Sequence, residues 1–120
     1  MALTESLSTV VEAARSKKAF RIRLLDVSAD ASFTDIFAFM SGGSDRQNRA
    51  IADEVELGLR NLGIRVISRE GEKLGNWILL DFGDFIVHVM DEETRAHYNL
   101  EELWKEGREL ELPPEHAPVP

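Results

Sequence analysis

The apolar residues of LTESLSTVVEAARSKK (Leu3, Leu7, Val10, Val11, Ala14) recur at helical spacing, which predicts an amphipathic first helix. Thr4 stands where an N-cap would, and Lys17 and Lys18 suit the negative end of the helix dipole. In FRIRLLDV the period drops to two, with Phe20, Ile22 and Leu24 alternating with Arg21 and Arg23; this predicts a strand with one wet face. DASFTDIFAFM reads as a second strand after a turn around Asp30. A second helix is expected from about Asp45 to Leu62, with Ile51, Val55, Gly58, Leu59 and Leu62 on one stripe. Arg49 with Asp53 and Glu56 with Arg60 would pair along its other side, and Gly63 is placed to end it.

IRVIS then reads as a short strand and REGEKLGN as a polar loop. WILLDFGDFIVHVM reads as two strands joined through Phe82 and Gly83. Trp77, Leu79 and Asp81 point to one face, Ile78, Leu80 and Phe82 to the other. Both faces are largely apolar, so these strands are expected inside the sheet, covered on both sides. Asp91 is placed to cap a short helix EETRAHY, and Asn99, with Glu102 at N3, to cap LEELWKE. The order α-β-β-α-β-β-β-α-α predicts one α/β domain, a mixed sheet of about five strands flanked by helices. Its expected extent is residues 1–108, followed by a Pro-rich tail, 109–120, expected to be disordered.

Composition narrows the function. The 120 residues carry 22 Asp and Glu against 14 Lys and Arg, a net charge of −8, and no cysteine. Disulfides, thiolate zinc sites and cysteine nucleophiles are excluded. A surface this acidic is a poor match for direct nucleic-acid binding, and charged partners should be basic. Nine acidic and three basic residues lie between Asp91 and Glu115. The first twenty residues show no secretory leader and no apolar run is long enough to span a bilayer, so the expected location is the cytoplasm or an organelle matrix.

The turn MSGGSDRQ, Met40 to Gln47, raises the question of a nucleotide. Nucleotidyltransferase chemistry needs two carboxylates on one strand face, holding divalent cations near the phosphates. About a dozen residues after GGS the carboxylates are Asp53, Glu54 and Glu56, inside a helix; Asp81 and Asp84 lie three apart across a turn. No lysine follows Gly43 as a P-loop requires. His88, His97 and His116 match no metal-ligand spacing, and no nucleophile elbow surrounds Ser41 or Ser44. No catalytic residue, metal or cofactor is expected. The glycines are read as a turn, with Ser44 and Gln47 forming a capping box.

The ordered signatures are SDRQ at Ser44–Gln47, EG at Glu70–Gly71, WILLDFGD at Trp77–Asp84, VHV at Val87–Val89, and RAHYNLEELW at Arg95–Trp104. With the strand Leu24–Val27, they make the chain similar to the ribosomal silencing factor (Iojap) family over about residues 3–105. Asn48, where the family usually carries an aliphatic residue, and the bulky Phe37 and Phe39 depart from its pattern. The resemblance implies a nucleotidyltransferase-like core that lacks the catalytic carboxylates. It implies binding to the large ribosomal subunit through ribosomal protein number fourteen, which blocks joining of the small subunit and lowers translation when nutrients are scarce. It also implies a role in large-subunit assembly and, off the ribosome, a homodimer. A residual nucleotide-binding protein is the remaining alternative.

The expected partner surface comprises Trp77, Leu79 and Asp81 on one strand, His88 and Met90 on its neighbour, and Arg95, Tyr98, Glu101 and Trp104 on the following helices. Trp77 or Tyr98 would be the anchor, and Asp81 and Glu101 would meet Lys or Arg. Which face of the strand pair is open is not fixed by the alternation.

Overall fold

The computed structural model describes residues 3–114. The elements, in chain order, are α1 (Leu3–Ser16), β1 (Phe20–Asp26), β2 (Ile36–Ser41), α2 (Asp45–Asn61), β3 (Ser68–Glu70), β4 (Trp77–Asp81), β5 (Phe85–Met90), α3 (Glu92–Tyr98), α4 (Leu100–Leu103) and β6 (Arg108–Leu110). They build one mixed α/β layer structure around a six-stranded sheet in the order β3-β4-β5-β2-β1-β6. Only β2 and β5 run parallel; their crossover carries α2, β3 and β4, and the other pairs are antiparallel.

Alternation sorts the strand residues into two cores. Ile36, Ala38 and Met40 of β2, Ile78 and Leu80 of β4, and Phe85, Val87 and Val89 of β5 face α1 and α2. That larger core is sealed by Val10, Val11, Ile51, Val55 and Leu59, all buried. Gly58 allows the helices to meet closely, since a Cβ there would press on Thr9. The second face carries Leu25, Phe37, Phe39, Ile86 and Met90, with Trp77, Leu79, Leu100 and Trp104 packed against them. Every residue of β2 and of β5 is buried, as expected of strands covered on both sides.

Several boundaries differ from expectation. The third strand begins at Ser68, not Ile64: Ile64 and Val66 do pack on the core, which produces the strand-like alternation, but pairing with β4 starts only at Ser68. Thr4 lies inside α1 and is not its cap. Asn99 adopts a left-handed conformation and makes no side-chain cap bond, so the second capping box does not form and α4 is a single turn. Arg49 pairs with Asp45, leaving Asp53 to Arg69.

The sixth strand is an addition to the expected five. Arg108–Leu110 pairs with Asp26–Leu24 as the far edge of the sheet, Leu110 and Leu112 join the larger core, and the Arg15 guanidinium donates to the Pro113 carbonyl. The expected domain end at residue 108 therefore falls inside a strand. Residues 115–120, including His116, lie outside the described residues.

Candidate functional site

All nine expected partner-surface residues lie on or over the second face of the sheet, away from α1 and α2. Trp77, Leu79 and Asp81 project there from β4 and are half-buried. α3 meets this face at Trp77 through Tyr98, and Leu100 of α4 and Trp104 at its end pack on the same core. Asp91 starts α3 by accepting the Thr94 N–H. The left-handed Asn99 then breaks the helix and turns the chain into α4. The break aims Tyr98 back at β4, where its ring packs 5.0 Å from that of Trp77. Trp104 lies further along, 5.2 Å from Phe37 and 6.1 Å from Phe33.

Three of the nine are covered. His88 is 3% exposed, Met90 1% and Arg95 2%, so none can touch a partner while this packing holds. His88 is sandwiched by aromatic rings: it stacks on Phe39 and takes Phe37 at its edge, each at 5.1 Å. Its Nδ1 accepts the Trp77 indole N–H at 3.1 Å. Burial pushes its pKa down to about 4, so the imidazole is neutral at physiological pH.

Arg95 anchors a chain of charges under α3 and α4. Its Nε donates to Glu101 at 2.6 Å and its Nη1 to Ser41 Oγ at 2.8 Å. Glu101 also receives Arg23 at 2.6 Å, and Arg23 continues to Glu109 on β6. Burial alone would raise the Glu101 pKa, but the hydrogen bonds from Arg95 and Arg23 hold it below the ordinary carboxylate range. Glu101 is thus engaged within the chain. Asp81 is partly so: one carboxylate oxygen accepts the Gly83 N–H at 2.8 Å and shapes the β4–β5 hairpin.

What remains open on this face is apolar and aromatic. Tyr98 is 56% exposed and Phe33 59%, beside half-buried Trp77, Leu79, Leu100 and Trp104; Leu103, 71% exposed, is the last residue of α4, next in sequence to Trp104. Nothing in the sequence singles out Phe33 or Leu103. Phe33 falls in the stretch expected to open the second strand, but β2 begins only at Ile36 and Phe33 lies in the connection before it; Leu103 is one apolar residue in an acidic stretch. Ser41, the buried acceptor for Arg95, reads from sequence only as a candidate nucleophile.

The Gly-rich turn is occupied by its own chain. Ser44 Oγ accepts the Gln47 N–H at 3.0 Å, and Gln47 Oε1 accepts the Gly43 N–H at 2.6 Å. The reciprocal bond therefore reaches one residue before the cap rather than the cap itself. Gln47 Nε2 also donates to the carbonyls of Lys17 and Lys18, tying the start of α2 to the end of α1. Asn48, the departure from the family pattern, is buried and donates to the Gly75 carbonyl at 2.9 Å.

Comparison with known proteins agrees with the sequence signatures. Residues 1–119 match the family described as ribosomal silencing factor during starvation. A relative from Halalkalibacterium halodurans named ribosomal silencing factor RsfS is 36% identical over 112 residues, which are 93% of this chain and 96% of that one. A mouse protein named mitochondrial assembly of ribosomal large subunit protein 1 is 31% identical, covering 82% of this chain and 44% of its own length. A crystal structure from Chromobacterium violaceum superposes with a TM-score of 0.85 at 32% identity, covering 98% of both chains.

Proposed function

This chain belongs to the ribosomal silencing factor family, and from that premise we propose that it represses translation by steric exclusion. It binds the large ribosomal subunit at ribosomal protein number fourteen through the second face of its sheet, and small-subunit joining is blocked. The observation that carries this reading is the exposed aromatic surface of Phe33 against Trp104 and Tyr98 against Trp77, beside half-buried Leu79. An aromatic centre with an acidic rim fits a basic protein partner, with the rim steering encounter and the rings supplying affinity.

Of the nine expected residues, Trp77, Leu79, Tyr98 and Trp104 are assigned to contact and Asp81 to the charged rim. Glu101 is assigned to support, as are His88, Met90 and Arg95. Exclusion from an intersubunit site requires no catalysis, so the chain acts as a regulator and not as an enzyme. The relative named for assembly of the mitochondrial large subunit supports a second reading, in which the same contact serves large-subunit maturation. Off the ribosome, a second copy of the chain is the competing occupant of this face, and sedimentation equilibrium decides it.

Sucrose-gradient fractionation is the direct test. Purified protein should co-migrate with isolated large subunits and inhibit a reconstituted translation reaction in proportion to occupancy. Wild-type protein that stays at the top of the gradient ends this reading. Repression with an undiminished yield of joined subunits ends the steric mechanism.

A further inference from the structure

We propose that His88 is a positioning residue for Trp77: its Nδ1 accepts the indole N–H and fixes the angle at which the docking surface presents that ring, while His88 itself touches no partner. The indole nitrogen can only donate. The Nδ1 that receives it at 3.1 Å is therefore the unprotonated nitrogen, and the proton of the neutral ring sits on Nε2. That Nε2 is buried and finds no acceptor among the described residues. Leaving a buried donor unpaired is unfavourable. An aliphatic residue at this position would avoid it, and the other residues of β5 on this face, Ile86 and Met90, are apolar. The histidine is thus accounted for by the bond it does make.

The geometry suits positioning. Leu79 lies directly opposite His88 and Trp77 opposite Met90, so the indole reaches diagonally across the strand pair to find its acceptor. The imidazole cannot swing away, because Phe39 stacks on it with the planes 15° apart and Phe37 meets it edge-on. Tyr98 closes the other side of the indole. A rigid histidine therefore sets a half-buried tryptophan, and preorganising an anchor lowers the ordering cost of binding.

This inference rests on Trp77 being part of the docking surface, and the experiment separates the two. The indole N–H resonance of Trp77 is identified by its loss in Trp77→Phe. It is then followed in His88→Leu, which removes the acceptor, and in His88→Asn, whose amide oxygen can stand near the Nδ1 position. His88→Phe replaces the leucine variant if that one does not fold. Affinity of each for isolated large subunits is measured in parallel. The resonance should move upfield in His88→Leu and stay near its wild-type position in His88→Asn. Binding should weaken about fivefold in the former, the worth of one net hydrogen bond, and recover in the latter. In a Trp77→Phe background, His88→Leu should cost nothing further. An unmoved resonance in His88→Leu overturns the bond, and an equal loss of affinity in the Trp77→Phe background overturns the positioning role. Undiminished binding by Trp77→Phe, with the resonance shifting as expected, overturns the docking surface instead.

Discussion

A Cβ on Gly71 would overlap the backbone carbonyl oxygen of Trp77. Gly71 follows β3 with φ of +88°, a region that L residues occupy at a cost, and its lack of a side chain lets the 71–76 connection fold back onto the first residue of β4. Gly71→Ala should therefore destabilise by about 3 kcal/mol or more, strain and clash together. Gly63 has a similar φ of +85° but nothing within 4 Å, so Gly63→Ala should cost only about 1 kcal/mol. Urea unfolding of both variants checks the difference. Equal losses would mean that the carbonyl of Trp77 is not the constraint.

Arg95 and Glu101 form a pair with side chains 2% and 11% exposed. Removing Glu101 leaves the Arg95 guanidinium covered and uncompensated, which costs about 3–5 kcal/mol for a buried pair. Arg95→Met should lie at or below the lower end, because Glu101 keeps Arg23, although Ser41 loses its donor. Glu101→Gln should lie near the upper end, because it takes the carboxylate from buried Arg95 and turns an amide NH2 towards a guanidinium donor. The double variant Arg95→Met with Glu101→Gln should be more stable than the sum of the singles predicts. A double-mutant cycle by thermal or urea unfolding reads this directly.

Much of this architecture is legible in the sequence, and the exceptions have physical causes. Helical periodicity places α1 and α2, and the apolar doublet of strands marks the sheet centre, because burial on one or both faces imposes its own period. Ile64 and Val66 alternate as a strand would yet join no strand pairing, since periodicity reports burial and not hydrogen bonding. Arg108–Leu110 gives too short a signal to outweigh the prolines after it, and its pairing with β1 is set by a distant stretch of chain. That the nine expected residues gather on one side of the sheet is legible from the alternation, but which of them stay open is not. His88, Met90 and Arg95 share that face with Trp77, but His88 is covered by Phe37, Phe39 and Trp77 and Arg95 is tied to Ser41 and Glu101, neighbours that alternation does not supply. Glu101 reads as a free rim charge until Arg95 and Arg23 are seen to converge on it.

His88 makes the fold acid-sensitive. Its folded-state pKa of about 4 lies below the ordinary 6.5, so between those values the unfolded chain binds a proton that the folded chain refuses. Stability should be fully present above pH 6.5 and decline as pH falls towards 4, by about 3 kcal/mol at most. Glu101 also has a folded-state pKa below its unfolded value. Its contribution is present above the ordinary carboxylate pKa and is lost as pH falls through the folded value, a lower window than that of His88. His88→Asn should flatten the upper window and leave the lower one. Unfolding free energies measured from pH 7 to well below the ordinary carboxylate pKa test this, and an undiminished upper slope in His88→Asn would assign the upper window to another group.

The turn at Gly42–Ser44 is structural, so its variants should alter stability alone. Ser44→Ala removes the acceptor for the Gln47 N–H and should cost about 1 kcal/mol; Ser44→Gly should cost less. Neither should change affinity for the large subunit. Nucleoside triphosphate with magnesium should produce no heat of binding in wild type, and measurable heat would revive the nucleotide reading.

Asp81 gives the sharpest test of the charged rim, because its two roles separate chemically. One oxygen accepts the Gly83 N–H in the hairpin, a bond that the amide oxygen of an asparagine side chain can also accept. Asp81→Asn should thus keep the hairpin, and its melting temperature should stay close to that of wild type. It removes the charge that would meet Lys or Arg on the partner. If that pair is desolvated in the complex, its loss costs about 2 kcal/mol or more of binding, a reduction in affinity of roughly thirtyfold. Asp81→Lys should bind more weakly still, and raising salt should narrow its gap from wild type by screening the repulsion. Asp81→Asn that is folded and binds the large subunit as tightly as wild type would remove Asp81 from the interface and leave it only the hairpin.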